Sequence, residues 1–262
     1  MNNKKIESIE GVILDWAGTT VDFGSMAPVQ AFIDAFGSCN IKVTIDEVRE
    51  PMGMLKKDHI RYMLNQERVN GLWLETWNRP YTESDVEIIY SQFEVRLMGI
   101  LKEFSKPKPY VLETVEWLRN KGIKIGSTTG YTDGMMEIVA HEAKEQGYEP
   151  DVLVTPDTVG GMGRPYPYMI FKNMELLKIM DTSKVLKVGD TISDIQEGNH
   201  AGVWTAGIIE GSSVMGLSME EFAALSQDEK DDLSEMVKQQ YLKAGADFVF
   251  QDIRDLLKLI EA

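Results

Sequence analysis

The segment Gly11-Val-Ile-Leu-Asp-Trp-Ala-Gly-Thr-Thr20 gives the clearest indication of how this chain folds. Residues 12–14 form a short apolar run with β-branched side chains, followed at once by turn formers, which predicts a buried parallel strand. Asp15 then stands at the carboxyl end of that strand, where ligands bind in open α/β sheets. A carboxylate there can act as a nucleophile or a metal ligand, and the Gly18 amide behind it can help to hold an anion. An Asp after a strand is also a common cap or turn residue, so both interpretations stay open.

Composition limits the classes of function. The chain has 262 residues and a formal net charge of -15, which disfavours binding to nucleic acid or anionic lipid because phosphates recruit Lys and Arg. Cys39 is the only cysteine, which excludes an internal disulfide and a zinc site built from thiolates. No segment resembles a signal peptide or approaches the roughly 20 apolar residues of a membrane span. We therefore expect a cytoplasmic protein that acts on a small molecule.

Apolar periodicity divides the chain into two kinds of segment. From about residue 110 onward, strands alternate with amphipathic helices, which predicts a doubly wound parallel sheet covered on both faces. Between residues 23 and 105 the pattern is helical throughout. We therefore predict an α/β core of residues 1–22 and 106–262, with a helical cap domain of residues 23–105 inserted after the first strand.

Two of the predicted helices bear on the site. One covers residues 165–180 and has a proline at its start, where a helix tolerates it. The other covers residues 228–243 and is highly charged, so we interpret it as a solvated flank of the core.

Polar residues follow four of the predicted strands. Asp15 follows the first, Thr129 the second and Arg164 lies beyond the third, while Asp190 and Asp194 follow the fourth. Each of them alone has an ordinary alternative as a turn residue, a surface charge or a helix cap. Because the carboxyl ends of parallel strands share one edge of the sheet, we expect all of them to lie together.

This set of side chains suggests phosphoryl transfer. The carboxylates of Asp15, Asp190 and Asp194 are hard oxygen ligands of the kind that Mg²⁺ takes. Arg164 offers a forked donor for phosphate oxygens, and Thr129 adds a hydroxyl. The inferred reaction transfers a phosphoryl-like group to Asp15, and water then cleaves the aspartyl-phosphate.

The order of these motifs resembles that of the haloacid dehalogenase superfamily. Its Rossmann-like core carries the same series of strand ends, and the helical segment corresponds to its cap insertion. Two positions depart from the superfamily pattern. Phosphatases and mutases usually have a second Asp two residues after the nucleophile, where this chain has Ala17, and their basic residue is usually Lys, where this chain has Arg164.

Both departures are similar to the phosphonoacetaldehyde hydrolase (phosphonatase) branch of the superfamily. That resemblance implies hydrolysis of the P–C bond of phosphonoacetaldehyde to acetaldehyde and phosphate, in 2-aminoethylphosphonate degradation. It also implies a homodimer and an Mg²⁺ cofactor held by Asp15, Ala17, Asp190 and Asp194. The motifs that carry the resemblance are Asp15-Trp-Ala-Gly-Thr-Thr20, Pro51-Met-Gly-Met-Leu-Lys56, Gly126-Ser-Thr-Thr-Gly-Tyr-Thr132, Gly163-Arg-Pro-Tyr-Pro167 and Val188-Gly-Asp-Thr191.

The resemblance further implies roles for side chains of the cap and the core. Lys56 would form a Schiff base with the aldehyde, and Met52, His59 and Tyr131 would lie near that aldehyde. The phosphoryl-binding residues would be Gly18, Thr129 and Arg164.

The implied chemistry accounts for Ala17. Breaking a P–C bond expels a carbanion, and an imine on Lys56 can accept that electron pair and become an enamine. Lys56 must be neutral to attack, so its pKa must fall below the usual value of about 10.4 through burial or nearby positive charge. His59 lies three residues later on the same helical face and could move a proton through water; a surface or capping histidine is the plain alternative.

Two other classes of function stay open. The first is an Mg²⁺-dependent phosphomonoesterase or mutase acting on a small phosphorylated metabolite, which Ala17 disfavours. The second is a catalytically silent module that binds a small ligand or a protein, in which the complete set of site residues would be unexpected.

Overall fold

Residues 8–52 and 54–261 are described by a computed structural model. The strands of the sheet are β1 Gly11–Leu14, β2 Lys124–Thr128, β3 Val152–Val154, β4 Val185–Gly189, β5 Trp204–Ile208 and β6 Phe248–Phe250. They are all parallel and lie in the order β3-β2-β1-β4-β5-β6. This arrangement confirms the predicted doubly wound parallel sheet.

The central position of β1 places the site. β1 pairs with β2 on one side and with β4 on the other, so the residue after β1 lies between the residues after its two neighbours. Val12, Ile13 and Leu14 are almost completely buried, since helices cover both faces of a doubly wound sheet. The continuous apolar run in the sequence therefore marks the centre of the sheet.

The other long regular elements of the described chain are α-helices, joined by loops and two short 3-10 helices. They are α1 Met26–Ser38, α2 Ile45–Arg49, α3 Lys56–Asn65, α4 Glu67–Trp77, α5 Glu83–Ile100, α6 Val111–Asn120, α7 Asp133–Glu145, α8 Tyr168–Leu177, α9 Ile192–Ala201, α10 Met219–Ala224, α11 Gln227–Lys243 and α12 Asp255–Glu261. None of these described helices combines the length and the apolarity that crossing a membrane requires.

The segment between β1 and α6 consists of the five helices α1 to α5. α1 packs against α5, where Phe32 stacks on Phe93 with ring centroids 4.2 Å apart. This segment is the one expected to form a cap, and its boundaries at residues 23 and 105 stay a prediction. Residues 1–7 of the predicted core and Gly53 of the predicted 51–56 motif lie outside the described residues.

The helix predicted over residues 165–180 is shorter at both ends. α8 begins at Tyr168, because residues 163–167 form a turn in which the Arg164–Pro165 peptide is cis. It ends at Leu177, since Lys178 adopts a left-handed conformation with φ of 56°. The turn before α8 is what carries Arg164.

The interpretation of residues 228–243 as a solvated flank is wrong for the end of α11. Val237 and Tyr241 are fully buried. The Tyr241 hydroxyl is 2.7 Å from the Asp190 carbonyl and 2.9 Å from the Ile208 carbonyl. α11 therefore supports the loop that follows β4.

Candidate active site

The loop after β1 folds tightly around its own backbone groups. Asp15 is 4% exposed, its amide donates to the Val188 carbonyl at 3.0 Å, and the Thr20 hydroxyl donates to the Asp15 carbonyl at 2.9 Å. The Gly18 amide, predicted to hold a phosphoryl group, already donates within the loop to the carbonyls of Val21 and Asp22. The Asp15 carboxylate is thereby fixed at the carboxyl edge of the sheet.

Gly18 allows this loop to touch the loop after β4. Its φ is +85°, and a Cβ added there would lie 2.0 Å from Oδ2 of Asp190. A side chain at this position would therefore clash and would also strain the backbone. The glycine of the first motif is required for Asp15 and Asp190 to approach each other.

Three buried carboxylates meet at this edge. Oxygens of Asp15, Asp190 and Asp194 all lie within 4.8 Å of one another. Oδ2 of Asp190 accepts hydrogen bonds from the amide and the hydroxyl of Ser213, both at 2.7 Å, while Oδ1 of Asp190 has no partner. Burial, and then the charges of Asp15 and Asp194, raise the pKa of Asp190 to about 8.

These carboxylates fit a divalent cation. Hard oxygen donors are the ligands that Mg²⁺ and Ca²⁺ take, and a buried carboxylate oxygen without a donor is rare in folded proteins. A cation would satisfy the unpaired Oδ1 of Asp190 and offset the repulsion between the carboxylates. The cluster could therefore hold a metal ion.

Asp194 makes two kinds of contact. Its Oδ2 accepts from the Thr191 hydroxyl at 2.6 Å in a capping box that begins α9. Its Oδ1 pairs with Nη1 of Arg164 at 3.1 Å and with Nζ of Lys187 at 2.9 Å. Burial opposes ionisation here, but the two cations outweigh it and lower the pKa of Asp194. Asp194 is consequently held in place before any metal binds.

Arg164 reaches the nucleophile candidate directly. Its Nη2 lies 2.5 Å from Oδ1 of Asp15 and donates to the Thr128 hydroxyl at 3.0 Å, and its Nε pairs with Glu197 at 3.2 Å. The side chain is 5% exposed. A phosphoryl group that approached Asp15 would therefore meet a guanidinium already fixed beside it.

The sequence interpretation missed Lys187 and Glu197, which complete this charge network. Lys187 is 0% exposed in β4; its Nζ donates to the Thr128 hydroxyl at 2.6 Å and lies 3.4 Å from Oε2 of Glu197. A lysine within an apolar parallel strand is almost never buried without a partner, so Lys187 could have been noticed. Ser213, which donates two hydrogen bonds to Asp190, has no comparable sequence feature that would mark it as part of the site.

Lys56 faces the same carboxylates from the helical segment. It is the first residue of α3, and its Nζ lies 5.9 Å from the ring centroid of Phe32 and 6.0 Å from that of Tyr131. Burial, and then the positive charge of Arg164, lower the pKa of Lys56 to about 8, while Asp15 and Asp190 act in the opposite direction. The amine is therefore partly neutral near pH 7.

A small cavity joins the two parts of the site. Its volume is about 40 Å³, and the helical segment and the edge of the sheet both contribute to its walls. Most of the residues predicted from the sequence line it, namely Asp15, Ala17, Met52, Lys56, Thr129, Tyr131, Arg164 and Asp190. The structure thus brings together residues that are far apart in the chain.

His59 lies behind this cavity and is not one of its lining residues. It is fully buried and stacks on Phe32 with centroids 4.0 Å apart. Burial, and then the charge of Lys56, lower the pKa of His59 well below its usual value. The alternative of a surface or capping histidine is wrong, and a proton shuttle through water stays a prediction that this burial disfavours.

Comparisons with known proteins identify the family of this chain. The profile of the haloacid dehalogenase-like hydrolase family matches residues 9–202. The chain is 52% identical to the phosphonoacetaldehyde hydrolase of Lysinibacillus sphaericus over 252 residues, which cover 96% of this chain and 94% of the relative. It is 46% identical to a bifunctional phosphonoacetaldehyde hydrolase/aminoethylphosphonate transaminase of Clostridioides difficile, covering 98% of this chain and 41% of that protein.

A solved structure is similar over the whole fold. The crystal structure of a phosphonoacetaldehyde hydrolase-like protein from Oleispira antarctica superposes with a TM-score of 0.93 at 38% identity, and the match covers 100% of this chain and 94% of that one. The resemblance inferred from the motifs is thus confirmed. The chain belongs to the haloacid dehalogenase-like hydrolases and, within them, to the phosphonoacetaldehyde hydrolase family of enzymes.

Proposed function

We propose that this enzyme hydrolyses phosphonoacetaldehyde to acetaldehyde and phosphate. The observation that carries the proposal is that Lys56 and Asp15 line one cavity, in which Ala17 occupies the place of a second carboxylate. An amine and a carboxylate on opposite sides of a small substrate suit the cleavage of a P–C bond, whereas ester hydrolysis would use an acid at position 17. The names of the relatives support the same substrate.

The first step is imine formation by Lys56. The neutral amine attacks the aldehyde carbon, and loss of water together with uptake of one proton from solvent leaves a protonated imine on Nζ. Phe32 and Tyr131, whose rings lie about equally far from Nζ, keep water away and lower the pKa of the amine by desolvation. Met52 lines the same wall, and we assign it a packing role beside the aldehyde.

The second step is transfer of the phosphoryl group to Asp15. A carboxylate oxygen of Asp15 attacks phosphorus while the P–C bond breaks, and the bonding pair moves through the carbon chain to the imine nitrogen. The products of the step are an aspartyl-phosphate and a neutral enamine on Lys56. Arg164 and the Thr129 hydroxyl would bind the phosphoryl oxygens, because both line the cavity beside Asp15.

Two hydrolyses then restore the enzyme. Water cleaves the aspartyl-phosphate and releases phosphate. The enamine takes a proton on carbon, and water releases acetaldehyde from Lys56. Each residue returns to its starting form, so the balance requires water and no other co-reactant.

Mg²⁺ is the proposed cofactor. Asp15, Asp190 and Asp194 would hold it, together with the backbone carbonyl of Ala17. When bound, Mg²⁺ would neutralise charge on the phosphoryl oxygens. The unpaired Oδ1 of Asp190 supports this assignment, and the Asp194 carboxylate lies in the same cluster.

The pathway and the assembly are also proposals. Fusion of a related hydrolase to an aminoethylphosphonate transaminase in the Clostridioides difficile protein supports a place in 2-aminoethylphosphonate degradation. A homodimer follows from the family resemblance and stays a prediction, as does the cytoplasmic location expected from the sequence.

A trapping experiment tests the proposed function. With Mg²⁺ and phosphonoacetaldehyde the enzyme is expected to release equal amounts of phosphate and acetaldehyde. Borohydride added during turnover is expected to inactivate it and to leave a reduced adduct on the peptide that contains Lys56. Phosphate release without any adduct, or an adduct on another lysine, would contradict the proposal. Release of phosphate from sugar phosphates instead would favour the phosphomonoesterase alternative.

The pH dependence of imine formation follows from the lowered pKa of Lys56. The neutral form reacts, so with cyanoborohydride in excess, where attack by the amine limits the rate, trapping with acetaldehyde is expected to speed up about tenfold per pH unit and to level off above about pH 8. Acetaldehyde is the aldehyde of choice because it carries no titrating group. Peptide mass spectrometry over a pH series measures the rate, and a rise that continues past about pH 10 would indicate an ordinary lysine.

A further inference from the structure

We propose that Arg49 is a positioning residue. Its side chain connects α2, which precedes the Lys56 helix α3, to the loop after β5 that donates hydrogen bonds to Asp190. The inference rests on the proposed function, because it assigns Arg49 the task of keeping Lys56 over Asp15. Arg49 itself is absent from the lining of the cavity that contains those two residues.

The guanidinium of Arg49 bridges two separate parts of the chain. Arg49 is the last residue of α2, and its Nη1 donates to the Gly24 carbonyl at 3.1 Å and to the Ser213 carbonyl at 3.2 Å. Its Nη2 lies 3.0 Å from Sδ of Met26. One side chain therefore ties α2 to the start of α1 and to the loop after β5.

The residues at both ends of this bridge are hydrogen-bonded to residues of the site. On the core side, Ser213 holds Oδ2 of Asp190 through its amide and its hydroxyl, both at 2.7 Å. On the helical side, the Arg49 carbonyl accepts from the Met52 amide at 3.0 Å, and Met52 lines the cavity four residues before Lys56. A shift of Arg49 would thus move the amine and the carboxylate cluster relative to each other.

Charge also favours the bridge. Burial lowers the pKa of Arg49, and the acidic groups that oppose this effect belong to both the core and the helical segment, namely Glu221, Asp22, Asp190 and Asp46. A cation between them attracts both sides, whereas its removal would leave carboxylates facing one another. The bridge contacts therefore combine charge-assisted hydrogen bonds with longer-range attraction.

The test compares Arg49→Ala with two other variants in the full-length enzyme. Arg49→Lys keeps the positive charge but has a single donor nitrogen in place of the guanidinium's three. Arg68→Ala is the matched control, because Arg68 also binds the α2 region, through Glu47 at 2.6 Å and the Lys42 carbonyl at 3.0 Å, but has both partners within the helical segment. Each variant is assayed for kcat, KM and the chemical form of the adduct that borohydride leaves on Lys56.

The form of the adduct separates positioning from mere stability. Imine formation needs Lys56 alone, whereas P–C cleavage needs Lys56 and Asp15 at once. If Lys56 and Asp15 are misaligned, the enzyme should accumulate the uncleaved imine. Reduction of that imine gives a phosphonoethyl-lysine. An aligned enzyme passes to the cleaved form, which is reduced to ethyl-lysine. Partial unfolding would lower both adducts in the same proportion.

For Arg49→Ala we expect kcat to fall about 10- to 100-fold, as for the loss of charged hydrogen bonds, with a shift of the adduct toward phosphonoethyl-lysine. Arg49→Lys should recover much of kcat, and Arg68→Ala should match the parent enzyme. The inference would be overturned if kcat is unchanged in Arg49→Ala. It would also be overturned if kcat falls while the ratio of phosphonoethyl-lysine to ethyl-lysine stays the same. Should Arg49→Ala not fold, Arg49→Gln, which keeps a side-chain amide donor but no charge, replaces it, and its kcat and adduct ratio decide in the same way. Failure of the proposed function would show separately, as a parent enzyme that yields neither adduct.

Discussion

Replacement of Lys56 by methionine is expected to lower phosphate release from phosphonoacetaldehyde by at least about 10⁴-fold, because removal of a covalent catalyst eliminates the route that it provides. Without the imine, the departing carbon has no acceptor for its electron pair. Methionine keeps the length of the side chain and suits the apolar wall formed by Phe32 and Tyr131, so the fold should persist. Phosphate release and the borohydride adduct are both measured, and both should disappear.

Lys57 provides the matched control for this variant. It is the next residue in the chain, but its Nζ pairs with Glu87 at 2.8 Å and lies 5.0 Å from the ring centroid of Tyr90. Lys57→Met should retain the activity of the parent enzyme and the adduct on Lys56. Substantial activity in Lys56→Met, or an adduct on Lys57, would show that the reactive amine has been misassigned.

Replacement of Asp15 by asparagine is expected to lower phosphate release by at least about 10⁴-fold, since a neutral amide cannot accept the phosphoryl group. Asparagine has the shape of aspartate, and Arg164 keeps its ion pairs with Asp194 and Glu197. Imine formation on Lys56 should continue. Borohydride should therefore trap phosphonoethyl-lysine, which mass spectrometry identifies.

The two variants separate the two halves of the reaction. Lys56→Met should form no adduct, whereas Asp15→Asn should form an adduct that retains phosphorus. Asp34→Asn, on the exposed face of α1, serves as the control and should behave as the parent enzyme does. Persistent phosphate release from Asp15→Asn would place the nucleophile elsewhere.

Much of the site could be predicted because its residues follow strands. Asp15, Thr129 and Asp190 each come directly after a strand, and parallel strands bring their carboxyl ends to one edge of the sheet. The order of these residues along the chain is therefore enough to predict that they meet. Lys56 is different, since it begins a helix in the inserted segment, and its place over Asp15 was inferred only from resemblance to a family.

The contacts that hold the site together could not be predicted in the same way. Ser213 lies 23 residues beyond Asp190, and Arg164 lies 149 residues beyond Asp15. His59 has the spacing of a residue that shares a face with Lys56, yet that spacing does not tell a cavity wall from a buried stack on Phe32. These contacts between distant residues depend on how the helices, strands and loops that carry them pack against one another.

The parallel sheet, the series of acidic and basic residues at its edge and the family of the chain could all be inferred from the amino-acid sequence, because each follows from local apolar periodicity or from motif order. The burial of Lys187 and Glu197 around Arg164, the enclosure of His59 and the bridge from Arg49 in α2 to the loop at Ser213 became visible in the folded chain alone. The physical reason is that burial and charge pairing depend on which surfaces meet in three dimensions, and those surfaces come from segments that lie far apart in the chain.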